Sequence, residues 1–179
     1  MSASRSIATK TGDDGTSGLL YGQRVPKDHF QIEAIGAFDE LNAAIGFAKA
    51  SSSDEKTRAI LEQVQRDLVA FMGELACAES DVMRYADSKF EKIGDANLAR
   101  IDAAIVDLES RSLRFDGWAT PGKNLAGAAL DLARTAARRA ERRLVGLPRQ
   151  GRTVRPVLEQ FVNRVSDLLW LMARAAEQA

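Results

Sequence analysis

The sequence has very little of the side-chain chemistry on which most metal and redox sites depend. It contains one cysteine, Cys77, and one histidine, His29, in 179 residues. A single cysteine excludes an internal disulfide framework and a cysteine-based zinc site. A single histidine excludes a His-rich centre and a ferritin-like di-iron site, which needs paired Glu-x-x-His motifs. We therefore predict no metal site built by the protein, and we interpret Cys77 as a packed core thiol.

The chain also lacks net charge and long apolar segments. Its 25 basic residues balance its 25 acidic residues, so we expect no general nucleic-acid or membrane surface. No run approaches the roughly 18 apolar residues of a membrane helix, and the N-terminus has no hydrophobic signal-peptide core. We expect a soluble, cytoplasmic protein that forms one domain over residues 1–179, because this length suffices for a full core.

Apolar residues recur at spacings of three and four along most of the chain, which predicts amphipathic helices. No segment reads as a convincing strand, and short connections favour antiparallel neighbours. The prediction is an all-α, five-helix up-and-down bundle at 31–179, preceded by a flexible glycine-rich loop at 1–24. The five helices are placed at about 31–50, 55–79, 95–111, 125–147 and 155–175.

The fourth predicted helix carries many arginines. Arg134, Arg138 and Arg142 fall at i, i+4 and i+8 and share one face, while Arg139 and Arg143 lie about 100° around the axis. Anions must neutralise such a face, because like charges at this spacing repel. They could be ligand phosphates or acids of this and neighbouring helices, and for Arg143 we favour the acids. The flank that could be buried consists of Leu132, Ala136 and Leu144.

The stretch 9–24 combines four glycines with three threonines, Ser17 and Lys10. Glycine lets a backbone approach a ligand closely, and amide, hydroxyl and ammonium groups bind phosphate oxygens. The stretch lacks both the P-loop spacing and the G-x-G-x-x-G spacing of dinucleotide folds. It could therefore bind phosphate or be an ordinary surface loop, and composition alone favours the surface loop.

Two aromatic residues, Phe115 and Trp118, occur in the segment 112–124, where Pro121 and Gly122 demand a turn. Aromatic side chains in a loop either plug the core or form a wall for an apolar ligand. Both interpretations remain open from the residues alone.

Five strings occur in this order along nearly the whole chain: TKTGDDGTSG, RVPKD, AIGAFDELNAAIGFA, ARTAARRAERR and FVNRVSDLLWLMAR. Together they resemble the PduO-type ATP:cob(I)alamin adenosyltransferases. The resemblance implies a homotrimer of five-helix bundles with active sites at subunit interfaces. It implies transfer of the 5′-deoxyadenosyl group of ATP, accompanied by Mg²⁺, to the cobalt of cob(I)alamin or a cobinamide-type precursor, with release of triphosphate. A corrinoid reductase and an adenosylcobalamin-dependent enzyme are the partners it implies.

The resemblance also implies roles for the residues at matching positions. The N-terminal ATP loop corresponds to Thr9, Lys10, Thr11, Gly12, Ser17 and Gly18, and an ATP-contacting lysine corresponds to Lys27. The nucleotide-binding run corresponds to Arg138, Arg139, Ala140, Glu141 and Arg142. The active-site residues of the last helix correspond to Asn163 and Asp167. A salt-bridge pair between neighbouring subunits corresponds to Asp39 and Arg134.

One segment departs from the family pattern. Trp118 stands where many members have a phenylalanine beside the corrin ring, and Lys123 replaces the second glycine of a P-G-G turn. We expect Trp118 to remain an apolar wall near cobalt. We also expect the pocket to prefer a cobalamin precursor or a corrinoid in a different lower-ligand state. A non-catalytic helical module that binds a nucleotide or an acidic partner through the arginine helix is the alternative. An RNA-binding helix is disfavoured by the zero net charge.

Overall fold

The computed structural model describes residues 8–111, 113–114 and 117–178. Over those ranges it is mostly helical. The helices in chain order are α1 (Phe30–Ser51), α2 (Glu55–Leu75), α3 (Val82–Ala86), α4 (Asp95–Glu109), α5 (Leu125–Gly146) and α6 (Pro156–Gln178). Five of them correspond to the predicted helices. The five-residue α3 is additional and lies between the second and third predicted helices.

The prediction that the second helix reaches residue 79 was wrong, because α2 ends at Leu75. Groups from distant parts of the chain bind the carbonyls at this end. The side-chain amide of Gln31 donates to the carbonyl oxygens of Leu75 and Cys77, and the amide of Leu20 donates to that of Ala76. These donors replace the amides of a further helical turn, so the chain can turn away.

The prediction of no strand was also wrong, although the sheet is small. Strands β1 (Thr16–Gly18) and β2 (Arg24–Pro26) pair antiparallel, with Ser17 opposite Val25. Three-residue strands are too short to show an alternating pattern. Side-chain hydrogen bonds between Arg24 and Thr16 also stabilise the hairpin, and periodicity in the sequence does not predict them.

Helix α5 lies at the centre of the bundle, packed between α1 and α6, while α2 packs on α1 and α4 packs on α6. The central position suits α5, because small inward side chains let neighbouring helices come close. These buried residues include Ala129, Ala133, Ala136, Ala137 and Ala140. Among the described residues, no helix is long and apolar enough to cross a membrane.

Three fully buried phenylalanines join α1, α2 and α6. The ring centroid of Phe71 lies 4.3 Å from that of Phe38 and 5.8 Å from that of Phe161, in tilted arrangements. Cys77, which follows α2, is buried as predicted, and burial raises the pKa of its thiol. A buried, protonated thiol is a packing group and has little nucleophilic character.

Candidate functional site

The glycine-rich loop has a defined shape that its own side chains create. Nε of Arg24 donates to Oγ1 of Thr16 at 2.8 Å, and its Nη2 donates to the carbonyl oxygen of Thr11 at 2.6 Å. Asp14 accepts from both the amide and the hydroxyl of Thr16, at 2.9 and 2.7 Å. These hydrogen bonds, with the charge of Arg24 nearby, lower the pKa of Asp14, so this carboxylate stays ionised and keeps the turn closed.

The structure brings Lys27 against this loop. The amide of Lys27 donates to the carbonyl oxygen of Gly15 at 2.9 Å. A Cβ at Gly12 would lie 3.2 Å from both Cε and Nζ of Lys27. The absence of a side chain at Gly12 therefore lets the end of the lysine side chain pack against the loop. Nζ of Lys27 makes no ion pair with any residue that the structure describes. Two residues predicted to contact ATP, Gly12 and Lys27, are therefore neighbours, and the ammonium group of Lys27 meets no carboxylate of the described residues.

The arginines of α5 divide into two groups, and the first is neutralised by acids of α1. Arg139 pairs with Glu40, and Arg143 lies 3.6 Å from Glu33. The expectation that Arg143 pairs with an acid is thus confirmed. Arg139, predicted to lie in the nucleotide-binding run, also has an acidic partner within the chain.

The second group consists of Arg138, which contacts α6, and Arg142 one turn further along α5. Nη1 of Arg138 lies 3.5 Å from Oγ of the buried Ser166, and Nη1 of Arg142 donates to the carbonyl oxygen of Arg138 at 2.9 Å. Neither guanidinium meets a carboxylate within the described ranges. Two positive charges on one exposed helix face thus lack counter-ions, which makes this face suited to an anionic ligand.

Asn163 and Asp167 lie on α6 at i and i+4, so they share one face, and both are exposed. Ser166, the α6 contact of Arg138, lies next to Asp167 in the chain. The structure therefore brings Arg138 to the part of α6 that carries both predicted active-site residues. An amide, a carboxylate and an unpaired guanidinium on adjacent helices can orient a polar substrate.

Two other members of the predicted nucleotide-binding run are less exposed. Ala140 is fully buried, so its side chain packs in the core and cannot touch a ligand. Glu141 is half-buried. The expected burial of Ala136 and Leu144 is confirmed, whereas that of Leu132 was wrong, because this side chain is 55% exposed.

The predicted pair of Asp39 and Arg134 does not form within one chain. Nε of Arg134 donates instead to Oδ1 of Asp131 at 2.7 Å. Asp39 is exposed on α1 and makes no ion pair with the described residues. A contact between these two side chains of neighbouring subunits remains a prediction.

Two clefts adjoin these residues. One, of about 310 Å³, has Asp28 and Phe30 on one side and Arg142 and Gly146 on the other, so the exit of the hairpin lies beside the end of the arginine helix. The other, of about 330 Å³, lies between the loop around Gly117 and the C-terminal part of α6.

Trp118 belongs to the loop at the second cleft and is 94% exposed, so it does not plug the core. Lys123 and Trp170 line the same cleft. Phe115, the other aromatic candidate, lies outside the described residues.

Sequence reasoning missed one charged network, in which Arg134, Asp131, Arg174 and Glu177 are joined in that order and Arg134 is the most exposed member. Oδ2 of Asp131 accepts from Nη2 of Arg174 at 2.5 Å, and Nε of Arg174 lies 3.1 Å from Oε2 of Glu177. Their positions in the sequence could have indicated the network. Asp131 follows Leu130 and Arg174 follows Ala173, in stretches whose other inward residues are apolar and buried.

Known proteins resemble this chain in both sequence and fold. The model of a family described as cobalamin adenosyltransferase matches residues 7–176. The corrinoid adenosyltransferase PduO of Salmonella typhimurium is 40% identical over 171 residues, which are 96% of this chain and 49% of that protein. A corrinoid adenosyltransferase of Citrobacter freundii is 36% identical over 171 residues, covering 96% of this chain and 94% of that protein.

A solved structure has the same fold. It is a variant of the PduO-type ATP:corrinoid adenosyltransferase from Lactobacillus reuteri, complexed with cobalamin and ATP. It superposes with a TM-score of 0.87 at 28% identity, over 97% of this chain and 91% of that chain. The present chain spans about half the length of the PduO relatives of Salmonella typhimurium and Citrobacter freundii.

Proposed function

Because the chain belongs to the cobalamin adenosyltransferase family, we propose that it transfers the 5′-deoxyadenosyl group of ATP to the cobalt of a cob(I)alamin-type corrinoid and releases triphosphate. The observation that carries the proposal is the division of the α5 arginines. Acids of α1 neutralise Arg139 and Arg143, whereas Arg138 and Arg142 meet no carboxylate in the described ranges. These two guanidinium groups lie one turn apart on the same helix face, with Arg138 beside α6, and they suit a polyanion.

The chemistry requires little covalent participation from the protein. The electron pair of cobalt(I) attacks C5′ of ATP, the Co–C bond forms as the C5′–O bond breaks, and triphosphate leaves with the bonding electrons. The corrinoid supplies the nucleophile, so no general base is needed. The protein must align C5′ with cobalt and stabilise the charge that develops on the leaving triphosphate.

Arg138, Arg142 and Lys27 are suited to that stabilisation. A guanidinium group donates to two phosphate oxygens in a fork, while an ammonium group acts as a mobile point charge. The glycine loop would add backbone N–H donors close to the phosphates. The described residues hold no cluster of three or more acidic, histidine or cysteine side chains suited to a metal. The triphosphate oxygens would therefore supply most ligands of the Mg²⁺ that accompanies ATP.

The proposal places the second substrate at the cleft beside Trp118. An indole that is almost fully exposed in the single chain gains most by covering an apolar ligand face. Held below the corrin, it would exclude water and other axial ligands from cobalt, and loss of axial ligation eases reduction. Lys123 adds a positive charge that the usual glycine lacks, so we propose that the pocket prefers a cobalamin precursor or a corrinoid in a different lower-ligand state.

We further propose that the protein is a homotrimer with its sites between subunits. Glu33, Glu40 and Phe47 are spaced seven residues apart on α1, and the Glu40–Arg139 pair puts this line beside α5. Phe47 is 49% exposed, and Leu132 lies seven residues before Arg139 on α5. Exposed apolar side chains thus continue a line of ion pairs. This line lies next to Asp39, which pairs with no described residue, and it suits a subunit contact. From the resemblance, we also propose that the protein is cytoplasmic. Its proposed partners are a corrinoid reductase and an adenosylcobalamin-dependent enzyme.

The test mixes the protein with ATP and cob(II)alamin under a reductant that produces cob(I)alamin. The proposal predicts that the cob(I)alamin absorbance disappears in proportion to triphosphate release. A non-catalytic nucleotide-binding module would bind ATP and leave the cob(I)alamin spectrum unchanged, and that result would refute the proposal.

A further inference from the structure

The buried charged network behind the arginine face has no role in the function described so far. Asp131 is 3% exposed, and each of its carboxylate oxygens accepts from a different arginine. Arg134 reaches it from one turn along α5, and Arg174 reaches it from α6. Arg174 is itself only 4% exposed. The network therefore connects the partly exposed Arg134 to the interior of the α5–α6 contact.

The far end of the network is packed tightly. Nε of Arg174 lies 3.1 Å from Oε2 of Glu177. A Cβ at Gly127 would lie only 2.6 Å from Cγ of Glu177, so the glycine provides the room that this side chain occupies. Two guanidinium groups and two carboxylates balance in charge, and packing fixes Arg174. Asp131 consequently has little freedom to follow Arg134 outward.

This arrangement constrains Arg134 more than an ordinary surface pair would. The guanidinium group is planar, with its five donors in a fixed fork. Because Nε is bound to Asp131 at 2.7 Å, the plane and direction of the group are set. Neither Nη atom of Arg134 has a hydrogen-bond partner in the described part of the chain. Both Nη atoms thus remain available to an anionic group.

Stability alone is a poor explanation for burying these charges. Desolvation of a buried ion pair offsets much of its attraction, so such pairs are weak evidence for stability and better evidence for a specified geometry. The geometry specified here is that of Arg134, the one member of the network that reaches solvent appreciably.

We propose that Asp131 is a positioning residue for adenosyl transfer. It holds the Nε edge of Arg134 so that the Nη edge is presented to a carboxylate or phosphate at the site, and Arg174 neutralises its second oxygen. The inference rests on the proposed function, because it concerns the activity of that same site.

A double-mutant cycle on kcat/KM for ATP tests this role. We expect Asp131→Asn to lower kcat/KM by about 10- to 100-fold, since a misplaced group near the reacting atoms has effects of that size. Arg134→Ala should lower it at least as much. If Asp131 acts through Arg134, the double variant falls no further than Arg134→Ala alone. Two results would overturn the proposal. One is a loss of kcat/KM in the double variant that equals the product of the two single losses, and the other is an Asp131→Asn enzyme with full kcat/KM.

Asp67→Asn is the matched control. Asp67 is 7% exposed and accepts from Nη2 of Arg100 at 3.0 Å, so it is also a buried carboxylate paired with an arginine, but it lies on α2. We expect it to lower Tm and leave kcat/KM unchanged. If Asp131→Asn alone does not fold, the cycle is repeated with Arg174→Gln in every member, which removes the unbalanced buried cation. An unsubstituted protein without activity would refute the proposed function rather than the role of Asp131.

Discussion

Arg138 and Arg143 lie five residues apart on α5 and have different surroundings. Arg143 lies beside Glu33, whereas Arg138 lies beside the neutral Ser166 and has no carboxylate within reach in the described ranges. The sequence shows that both arginines are on one helix, but only the packing of α1 and α6 around it shows which charge is neutralised. At the residue scale, this difference separates an arginine that is free to bind a ligand anion from one that already pairs with an acid of the fold.

Replacement of Arg138 or Asn163 by alanine should abolish most adenosylation and leave the fold intact. Removal of one donor to a developing negative charge lowers kcat by about 10²–10³-fold. Both side chains are exposed, so little packing is lost. Steady-state kinetics with circular dichroism checks the result. Arg66→Ala is the control, since Arg66 is an exposed arginine on α2 that pairs with Glu62. Normal turnover by Arg138→Ala and Asn163→Ala would remove these residues from the site.

Trp118→Ala should change the environment of bound cob(II)alamin. Without the indole, water or the corrinoid base reaches cobalt, so the spectrum of bound cob(II)alamin should revert towards that of the five-coordinate form. Electron paramagnetic resonance of the bound corrinoid measures this change. Phe90→Ala, which removes an exposed aromatic side chain outside the 112–124 loop, should leave the spectrum unaltered. A Trp118→Ala spectrum identical to that of the unsubstituted protein contradicts the assignment.

At the element scale, the long helices follow from sequence and the elements around the site do not. Periodicity places five helices because each long helix buries a continuous apolar stripe. The end of α2 and the β1–β2 hairpin depend on single contacts between distant residues. Gln31 donates to the last carbonyl of α2, and Arg24 of β2 donates to Thr16 of β1 and to Thr11 of the preceding loop. The glycine loop was predictable as a candidate from composition, but the position of Lys27 over Gly12 was not.

The phenylalanine cluster explains how α2 is held in the bundle, and it yields a stability prediction. Phe71→Ala should lower the free energy of unfolding by about 3–5 kcal/mol, because the ring is fully buried against Phe38 and Phe161. Urea unfolding at fixed protein concentration measures the loss. Val69→Ala on the same helix should change stability by less than about 0.5 kcal/mol, since Val69 is exposed. Equal effects of the two substitutions would contradict the core placement.

At the scale of the whole molecule, the pairing of Asp39 with Arg134 distinguishes a shared site from one within a single chain. Asp39→Ala and Arg134→Ala should each be nearly inactive. Mixing the two variants under conditions that exchange subunits should restore part of the activity, because some interfaces then join an intact Asp39 to an intact Arg134. Sedimentation should show a trimer for every sample. Mixed samples that stay as inactive as the separate variants would place the pair within one chain or outside the site.

The central claim is that the protein forms a cobalt–carbon bond at the expense of the C5′–O bond of ATP. Phosphorus nuclear magnetic resonance of a reaction with excess ATP and a known amount of cob(I)alamin tests it most directly, with adenosylcorrinoid quantified by its light-sensitive absorbance. We predict one triphosphate for each adenosylcorrinoid formed, with neither product in the absence of protein. Release of ADP and phosphate, or triphosphate without a cobalt–carbon bond, would contradict the account.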